Sequence, residues 1–537
     1  MTDIASTTGT PAPSRSLHTN EAAKARLRAR YAAERRFKWM GAGALAVSGI
    51  FLVLLLSTIV MEALPALRAN YLVLPLDLSP AKVDPADPAA ANYDDIVQEA
   101  LLAKFPGVES RQDRRLVRGL ISTGSGVYLR RQVESGDVPL GGTVELGVPL
   151  DDFADLYMKG LLADTGSVAP LEASVTPSGT EGDIELAFDD DRLVRLARGH
   201  GATEAEGGVL RLTGGADSFL IGLNGGTVKL TEIAPAPNGG AAGRGVVLQP
   251  LQSAQTAAAD AASLRIIDTP EASRKISDRE IVWLDALKQQ GAIESRFNTI
   301  FFFTGASREP ELAGIWSAVV GSFLTMVVTL ALSFPIGVAA AIYLEEFAPK
   351  NRWTNLIEVN INNLAAVPSI VFGLLGLAVF LNWFGLPRSA PLVGGMVLSL
   401  MTLPIIIIAS RAALRAVPPS IRDAALGVGA SKVQTVFHHV LPLAMPGIMT
   451  GTILGMAHAL GETAPLLMIG MVAFIVDIPG GFTDPATILP VQIFMWADFP
   501  EPGFQQKTSA AILILLAFLI IMNAAAVILR KRFERRW

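Results

Sequence analysis

Residues Arg422 to Pro442 read RDAALGVGASKVQTVFHHVLP. The stretch combines a short basic-flanked helix, a glycine break and a second amphipathic run, and it lies between two segments apolar enough to cross a bilayer. No catalytic constellation sits in it. Ala424, Ala425 and Gly429 fall on one side of a helix, where small side chains would let another protein's surface approach the backbone closely. The stretch therefore predicts a docking socket exposed between membrane spans.

Composition frames the same reading. The chain has 537 residues, of which 51% are hydrophobic and only 17% charged, and its mean hydropathy is +0.43. It is too apolar for an ordinary soluble protein and too long for one domain. The formal net charge of -5 hides an asymmetry, because basic residues gather at both ends and acidic ones in the middle. There is no cysteine, which excludes disulfides, thiolate metal sites and cysteine nucleophiles.

Along the chain, residues 1–38 form a basic head, whose part from Glu21 to Lys38 reads as a basic helix lying near anionic lipid. Residues 39–60, Trp39 to Val60, are uncharged and long enough to span a bilayer. Arg35, Arg36 and Lys38 precede that span, so it reads as a retained anchor with a cytoplasmic N-terminus. Residues 70–303 contain no possible span and alternate turn signals with period-two runs, such as Val144, Leu146 and Val148, or Ile184, Leu186 and Phe188. A hairpin across Asn224-Gly225 pairs Leu223 with Gly226, Ile221 with Val228 and Phe219 with Leu230. Helical patches at Tyr93 to Lys104 and Asp278 to Gln290 make this an α+β soluble domain, periplasmic by the topology above. Ala234 to Ala262 reads as a loop or linker, and Asp189, Asp190 and Asp191 as a solvated turn.

Five further spans are expected near Gly314 to Leu344, Leu364 to Phe384, Leu392 to Ala409, Gly447 to Ile475 and Ala510 to Leu529. Lys350, Arg352, Arg411, Arg415, Arg422, Lys432 and the Arg530 to Arg536 tail fall on one side, and Asp477, Asp484, Asp498 and Glu501 on the other. That bias places the loop 410–443 and both termini in the cytoplasm. Prolines 335, 368, 404, 446 and 465 suggest kinked helices around a pathway. Inside the Gly447 to Ile475 span, Glu462 is a carboxylate in the hydrocarbon region, a functional candidate by default. His458 lies four residues earlier on the same face and can pair with it. Together with Thr463 they mark a candidate substrate pathway, or else a buried polar clasp between helices.

The opening stretch resembles the ATPase-docking loop of ABC importer permeases, which has the form E-A-A, three residues, G, nine residues, I, any residue, L-P. Asp423, Ala424, Ala425, Gly429, Leu441 and Pro442 stand at matching positions. Asp423 replaces the usual Glu, and His439 stands where an apolar residue is usual, which puts a titratable group at a packing position. Residues 343–347 (YLEEF), 364–373 (LAAVPSIVFG) and 461–467 (GETAPLL) narrow the resemblance to phosphate importer permeases of the PstA family over about residues 314–537. The long insertion is similar to an extension found in some PstA proteins, chiefly of alphaproteobacteria. Where many relatives carry Arg one turn before the Glu of GETAP, this chain has His458.

The resemblance implies an all-α transmembrane bundle of about six helices with the α+β domain inserted after the first. It implies an inner-membrane subunit that imports phosphate by alternating access, with a PstC-like second permease, a PstB-like ATPase dimer that binds the ATP and Mg, and a PstS-like periplasmic phosphate-binding protein. The chain has no G-x-x-x-x-G-K-[ST] loop, so hydrolysis is expected in a partner, and no cofactor or metal is expected in this chain. Nothing points to nucleic acid; the other expected contact is membrane lipid. Another oxyanion as cargo, sulfate or molybdate, and a sensor built on the outer domain are the alternatives.

Overall fold

The computed structural model describes residues 21–162, 165–205, 208–237, 239–472 and 474–533. Two compact units result, divided after Met61. The described part of the first lies in the helix Glu21–Ala63, 43 residues long, whose last two residues belong to the second unit. At 1.5 Å per residue it extends roughly 65 Å, so the basic segment from Glu21 to Lys38 and the apolar stretch form one helix without a break. Residues 1–20 of the expected basic head, and Arg535 and Arg536 of the basic tail, lie outside the described residues.

In the second unit the inserted domain is built on two sheets. A three-stranded antiparallel sheet sets Arg68–Asp77 between Ile293–Phe297 and Thr143–Pro149. Leu72, Leu74 and Leu76 are fully buried from it against the helices Tyr93–Ala103 and Asp278–Gln289. The second helix opens on a capping box of Ser277 and Glu280, which satisfies two otherwise orphaned N–H groups. The domain enters and leaves through hydrogen-bonded neighbours: Arg68 lies opposite Phe297, and Asn298 N–H donates to the Leu67 carbonyl at 2.9 Å.

The larger sheet has a separate core that includes Ile184, Leu186 and Phe188. Its hairpin pairs Leu223 with Gly226 and Ile221 with Val228. Asn224 and Gly225 take φ of 46° and 72°, the left-handed pair that a two-residue turn needs to match strand twist. The expected linker Ala234 to Ala262 is corrected here, because Ala241–Gln249 is a strand paired between the strands Gly226–Pro235 and Asp183–Phe188. Its glycines were misleading. A Cβ on Gly243 would lie 3.0 Å from Leu230 and 3.1 Å from Phe188, so the bare backbone admits large side chains from both neighbours.

The C-terminal part contributes the helices Trp316–Ile342, Pro391–Arg415, Leu441–Gly461 and Pro502–Phe533, each belonging to a run long and apolar enough to cross a membrane. Gly447 lets two of them close: a Cβ there would meet the Ala413 methyl at 2.6 Å. Such small-on-small packing is how helices associate where lipid removes the hydrophobic drive. The expected span Leu364 to Phe384 is broken. Arg352–Ala365 and the segment Ser369–Trp383 meet at 100°, since Pro368 keeps Val367 out of helical conformation. The helix Leu489–Ala497 was not foreseen; it is too short to cross, and buries Trp496 against Phe301 and Phe504.

A dense cluster of ionisable groups joins the inserted domain to these helices. Asp152, at the start of the helix Asp152–Met158, accepts a hydrogen bond from Gly503 N–H at 3.2 Å. Lys507, one turn further along the last helix, is buried and donates to the Ala313 carbonyl at 2.6 Å. Glu311 is 8% exposed, and neither of its carboxyl oxygens makes a hydrogen bond of normal geometry. Burial pushes its pKa up to about 8, and burial likewise raises Asp151 and Asp152 to about 6 each.

Candidate functional site

The segment that opened the sequence reading folds as the helix Pro419–Gly427, a turn, and the short helix Lys432–Thr435, which continues into a wide π turn over Val436–Val440. Gly429 ends the first helix with φ of 90°. Its N–H donates to Leu426, and that of Ala430 to Ala425; these paired bonds define a left-handed helix stop, which only glycine adopts without steric cost. Two expectations need correction. Ala425 is buried against the chain's own helices, while Asp423, Ala424, Leu426 and Val428 face outward, so the outward surface is apolar at its tip rather than a strip of small residues. His439 is exposed, because the extra residue per turn of the π segment rotates it off the packed face, and Val436 and Val440 take the buried positions. Leu441 and Pro442 are half-buried at the start of the next helix.

What holds this outward helix was not read from sequence. Arg422 donates to Glu346 at 2.6 Å and to the carbonyls of Val417 and Leu414 at 2.8 and 2.9 Å. Glu345 receives Arg415 at 2.9 Å through both carboxyl oxygens and pairs with Arg411 at 3.5 Å; Arg411 also bonds Glu358. The two glutamates belong to the YLEEF run, a π turn over Tyr343–Phe347 that ends the Trp316 helix. Charge-assisted bonds of this kind contribute about 1.5–3 kcal/mol each where partly buried. The helix Pro419–Gly427 is thereby fastened to the end of a membrane helix 76 residues earlier. The sequence signal was present as motif and loop charge, but the partners lie too far apart in sequence to pair by inspection.

The second candidate lies at a break between two helices. Glu462 was expected inside a continuous span to Ile475; instead the helix ends at Gly461, and Glu462 takes an extended ψ of 120°. A short helix, Ala464–Met468, follows with Pro465 in its first turn. His458 Nε2 and Glu462 Oε1 are 3.3 Å apart, with the imidazole 56% exposed and the carboxylate 21%. The carbonyl of Thr463 accepts from Leu466 and Leu467. This broken corner rests on the LAAVPSIVFG run: a Cβ on Gly373 would lie 2.6 Å from Pro465 Cα. Two of the sequence motifs therefore touch. The pair can accept and donate hydrogen bonds to a small polar solute while staying open on the surface of this single chain.

Comparison with known proteins places these features in a lineage. A family model described as the binding-protein-dependent transport system inner membrane component matches residues 333–537. The phosphate transport system permease protein PstA 1 of Mycobacterium tuberculosis is 32% identical over 225 residues, covering 42% of this chain and 73% of that protein. The chain belongs to this family of transport-system inner membrane components. Its C-terminal part is homologous to PstA permeases, including PstA of Haemophilus influenzae, 28% identical over 42% of this chain and 79% of that protein. The Bacillus subtilis protein described as "Probable ABC transporter permease protein YqgI" is 33% identical over 32% of this chain; the match spans 58% of its length. Among solved structures, the MetNI methionine ABC transporter aligns over 41% of this chain at 16% identity with a TM-score of 0.33, too slight a likeness to carry weight. A model described as a domain of unknown function, DUF3333, matches residues 24–166.

Proposed function

We propose that this chain is the permease subunit of an ATP-driven importer that moves inorganic phosphate across the cytoplasmic membrane by alternating access. The observation that carries the reading is the outward helix Pro419–Gly427, which presents Asp423, Leu426 and Val428 to an ATPase while Arg422 and Glu346 tie it to a membrane helix. Motion of the ATPase dimer then moves that helix as a lever, and the bent and broken spans exchange an outward-facing cavity for an inward-facing one. Asp423, Ala424, Gly429, Leu441 and Pro442 serve coupling. Ala425 and His439 act as packing and rim residues of the same segment.

His458, Glu462 and Thr463 form this chain's share of the substrate path. A second, PstC-like permease covers the open side of the pair, a PstB-like ATPase supplies hydrolysis with its own ATP and Mg, and a PstS-like protein delivers cargo from the periplasm. Residues 70–303 face that compartment, with both chain termini in the cytoplasm. Phosphate keeps at least one proton at neutral pH, so Glu462 can accept a hydrogen bond from it; a fully ionised oxyanion offers the carboxylate only repulsion. The test is uptake of labelled phosphate into membrane vesicles containing the assembled complex, with sulfate and molybdate as competitors. ATP-dependent uptake that neither competitor reduces is the expected result; failure of an ATPase to co-purify, or competition by sulfate, overturns the reading.

A further inference from the structure

The inserted domain carries a cluster that the transport reading does not use. His200 closes the helix Arg192–Gly199, Asp217 immediately precedes the strand Ser218–Leu223, and Asp268 immediately follows the strand Ser263–Ile267. Those strands pair with Ser218 opposite Ile267, so the two aspartates leave the same end of one strand pair. Asp217 N–H donates to the His200 carbonyl at 3.2 Å, and the His200 ring stands edge-on to Phe219 at 5.8 Å. Backbone and ring contact together aim Nδ1 at the carboxylates.

The convergence is close. His200 Nδ1 lies 2.9 Å from Asp217 Oδ2 and 3.5 Å from Asp268 Oδ1, and one ligand atom from each of the three residues falls within 4.8 Å of the others. One ring nitrogen can donate at most one hydrogen bond, so it cannot satisfy both carboxylates. Among the described residues neither aspartate forms an ion pair with lysine or arginine; His200 is their shared partner. Three other acidic sites of the domain differ. Asp278 is met by Arg274 and Lys229, Asp190 and Asp191 by Arg192 and Arg195, and Asp285 by Arg265. What this cluster lacks is a cation.

We propose that His200, Asp217 and Asp268 bind one divalent transition-metal ion, of which Zn²⁺ is the probe. Imidazole nitrogen and carboxylate oxygen bind zinc at about 2.0–2.2 Å, which sets neighbouring ligand atoms about 3–3.5 Å apart; the two separations from Nδ1 agree with that spacing. Nδ1 contributes its lone pair, so the ring proton resides on Nε2. Asp268, 72% exposed, gives the ion an entry side and leaves the remaining coordination positions to water. Mixed nitrogen and oxygen ligands favour Zn²⁺ or Mn²⁺ over Mg²⁺ and Ca²⁺, which prefer all-oxygen shells. Bound metal would clip the end of one helix to two strands of the larger sheet.

The experiment is equilibrium dialysis of the full-length protein in detergent, without a polyhistidine tag and after EDTA treatment, against Zn²⁺ with metal content read by mass spectrometry. One zinc per chain is expected, retained against an excess of Mg²⁺ and displaced by Mn²⁺ only at a large excess. Asp268→Asn lies at an exposed position and leaves folding intact, yet should weaken binding at least tenfold; His200→Ala should remove it. Asp191→Asn is the control and should bind as the unaltered protein does. An unaltered protein that takes up no more zinc than His200→Ala, or binding unchanged by Asp268→Asn, overturns the proposal.

Discussion

Replacing Glu311 by Gln removes a charge that the folded protein accommodates poorly. A carboxyl that titrates near 8 in the fold and near 4.5 when unfolded holds its proton more tightly in the fold, because burial penalises the anion. The sign follows from linkage: stability is fullest below the unfolded value and falls as pH rises toward the folded one. At about 1.4 kcal/mol per unit, the cost is about 1 kcal/mol near pH 5, about 3 near pH 7, and levels off at about 5 above pH 9. Glu311→Gln keeps the shape and removes the Glu311 share of the slope; the fixed offset of burying an amide cancels when pH dependence is compared. The assay is unfolding of the detergent-solubilised protein followed by tryptophan fluorescence, at several pH values from about 5 to 9. The variant should gain steadily on the unaltered protein as pH rises. Asp151 and Asp152, raised to about 6, titrate in both proteins, and the charges of Asp151 and Lys507 act on Glu311, so the difference between the two profiles reads Glu311 together with its coupling to those neighbours. Parallel stability profiles would refute the claim that Glu311 is held as an acid in the joint.

Three further outcomes can be checked directly. Glu462→Gln removes the charge from one acceptor in the pathway, a change of about 1.5–3 kcal/mol, so phosphate uptake should fall tenfold or more, by about 1.4 kcal/mol per decade; the ATPase should still co-purify, and unchanged uptake would sink the role. Gly429→Trp forces a bulky residue to adopt a φ of 90°, at about 1–2 kcal/mol, and crowds the docking surface. Hydrolysis should continue without uptake, and normal transport would rule out this docking mode. Gly447→Val places a side chain where a Cβ already meets Ala413 at 2.6 Å; overpacking of this kind costs typically 1–3 kcal/mol, so the variant should melt earlier, and an unaltered melting temperature would show that those helices do not pack this closely.

Legibility in the sequence followed how local the determining forces were. The Asn224-Gly225 hairpin was readable because its register is set by two turn residues and alternating apolar neighbours. The helical patch Asp278 to Gln290 was also readable, and the structure adds the local box of Ser277 and Glu280 that starts it. The strand Ala241–Gln249 was not readable, since its glycines make sense only beside Leu230 and Phe188 from other strands. The break at Glu462 was missed because the apolar residues on either side, up to Leu460 and from Leu466 onward, outweigh the short GETAP run between them, whereas the proline at 465 and the packing on Gly373 end the helix. In the docking segment the glycine stop was visible, but the inward turn of Ala425 and the clamp of Arg422 by Glu346 depend on elements distant in sequence. Glu311 offered no signal, being one acidic residue in a polar loop until tertiary folding buries it.

The paired entry and exit of the inserted domain have a consequence at the level of the gene. Arg68 and Phe297 are partners across an antiparallel ladder, and the adjoining residues Leu67 and Asn298 are joined by a backbone hydrogen bond. Partner Cα atoms in such a ladder are about 5 Å apart. A coding segment for residues 68–297 can therefore be gained or lost as a cassette, with its two seams already adjacent and no rethreading of the helices beyond them. Recombination could replace one inserted module with another while the helices after it kept their course.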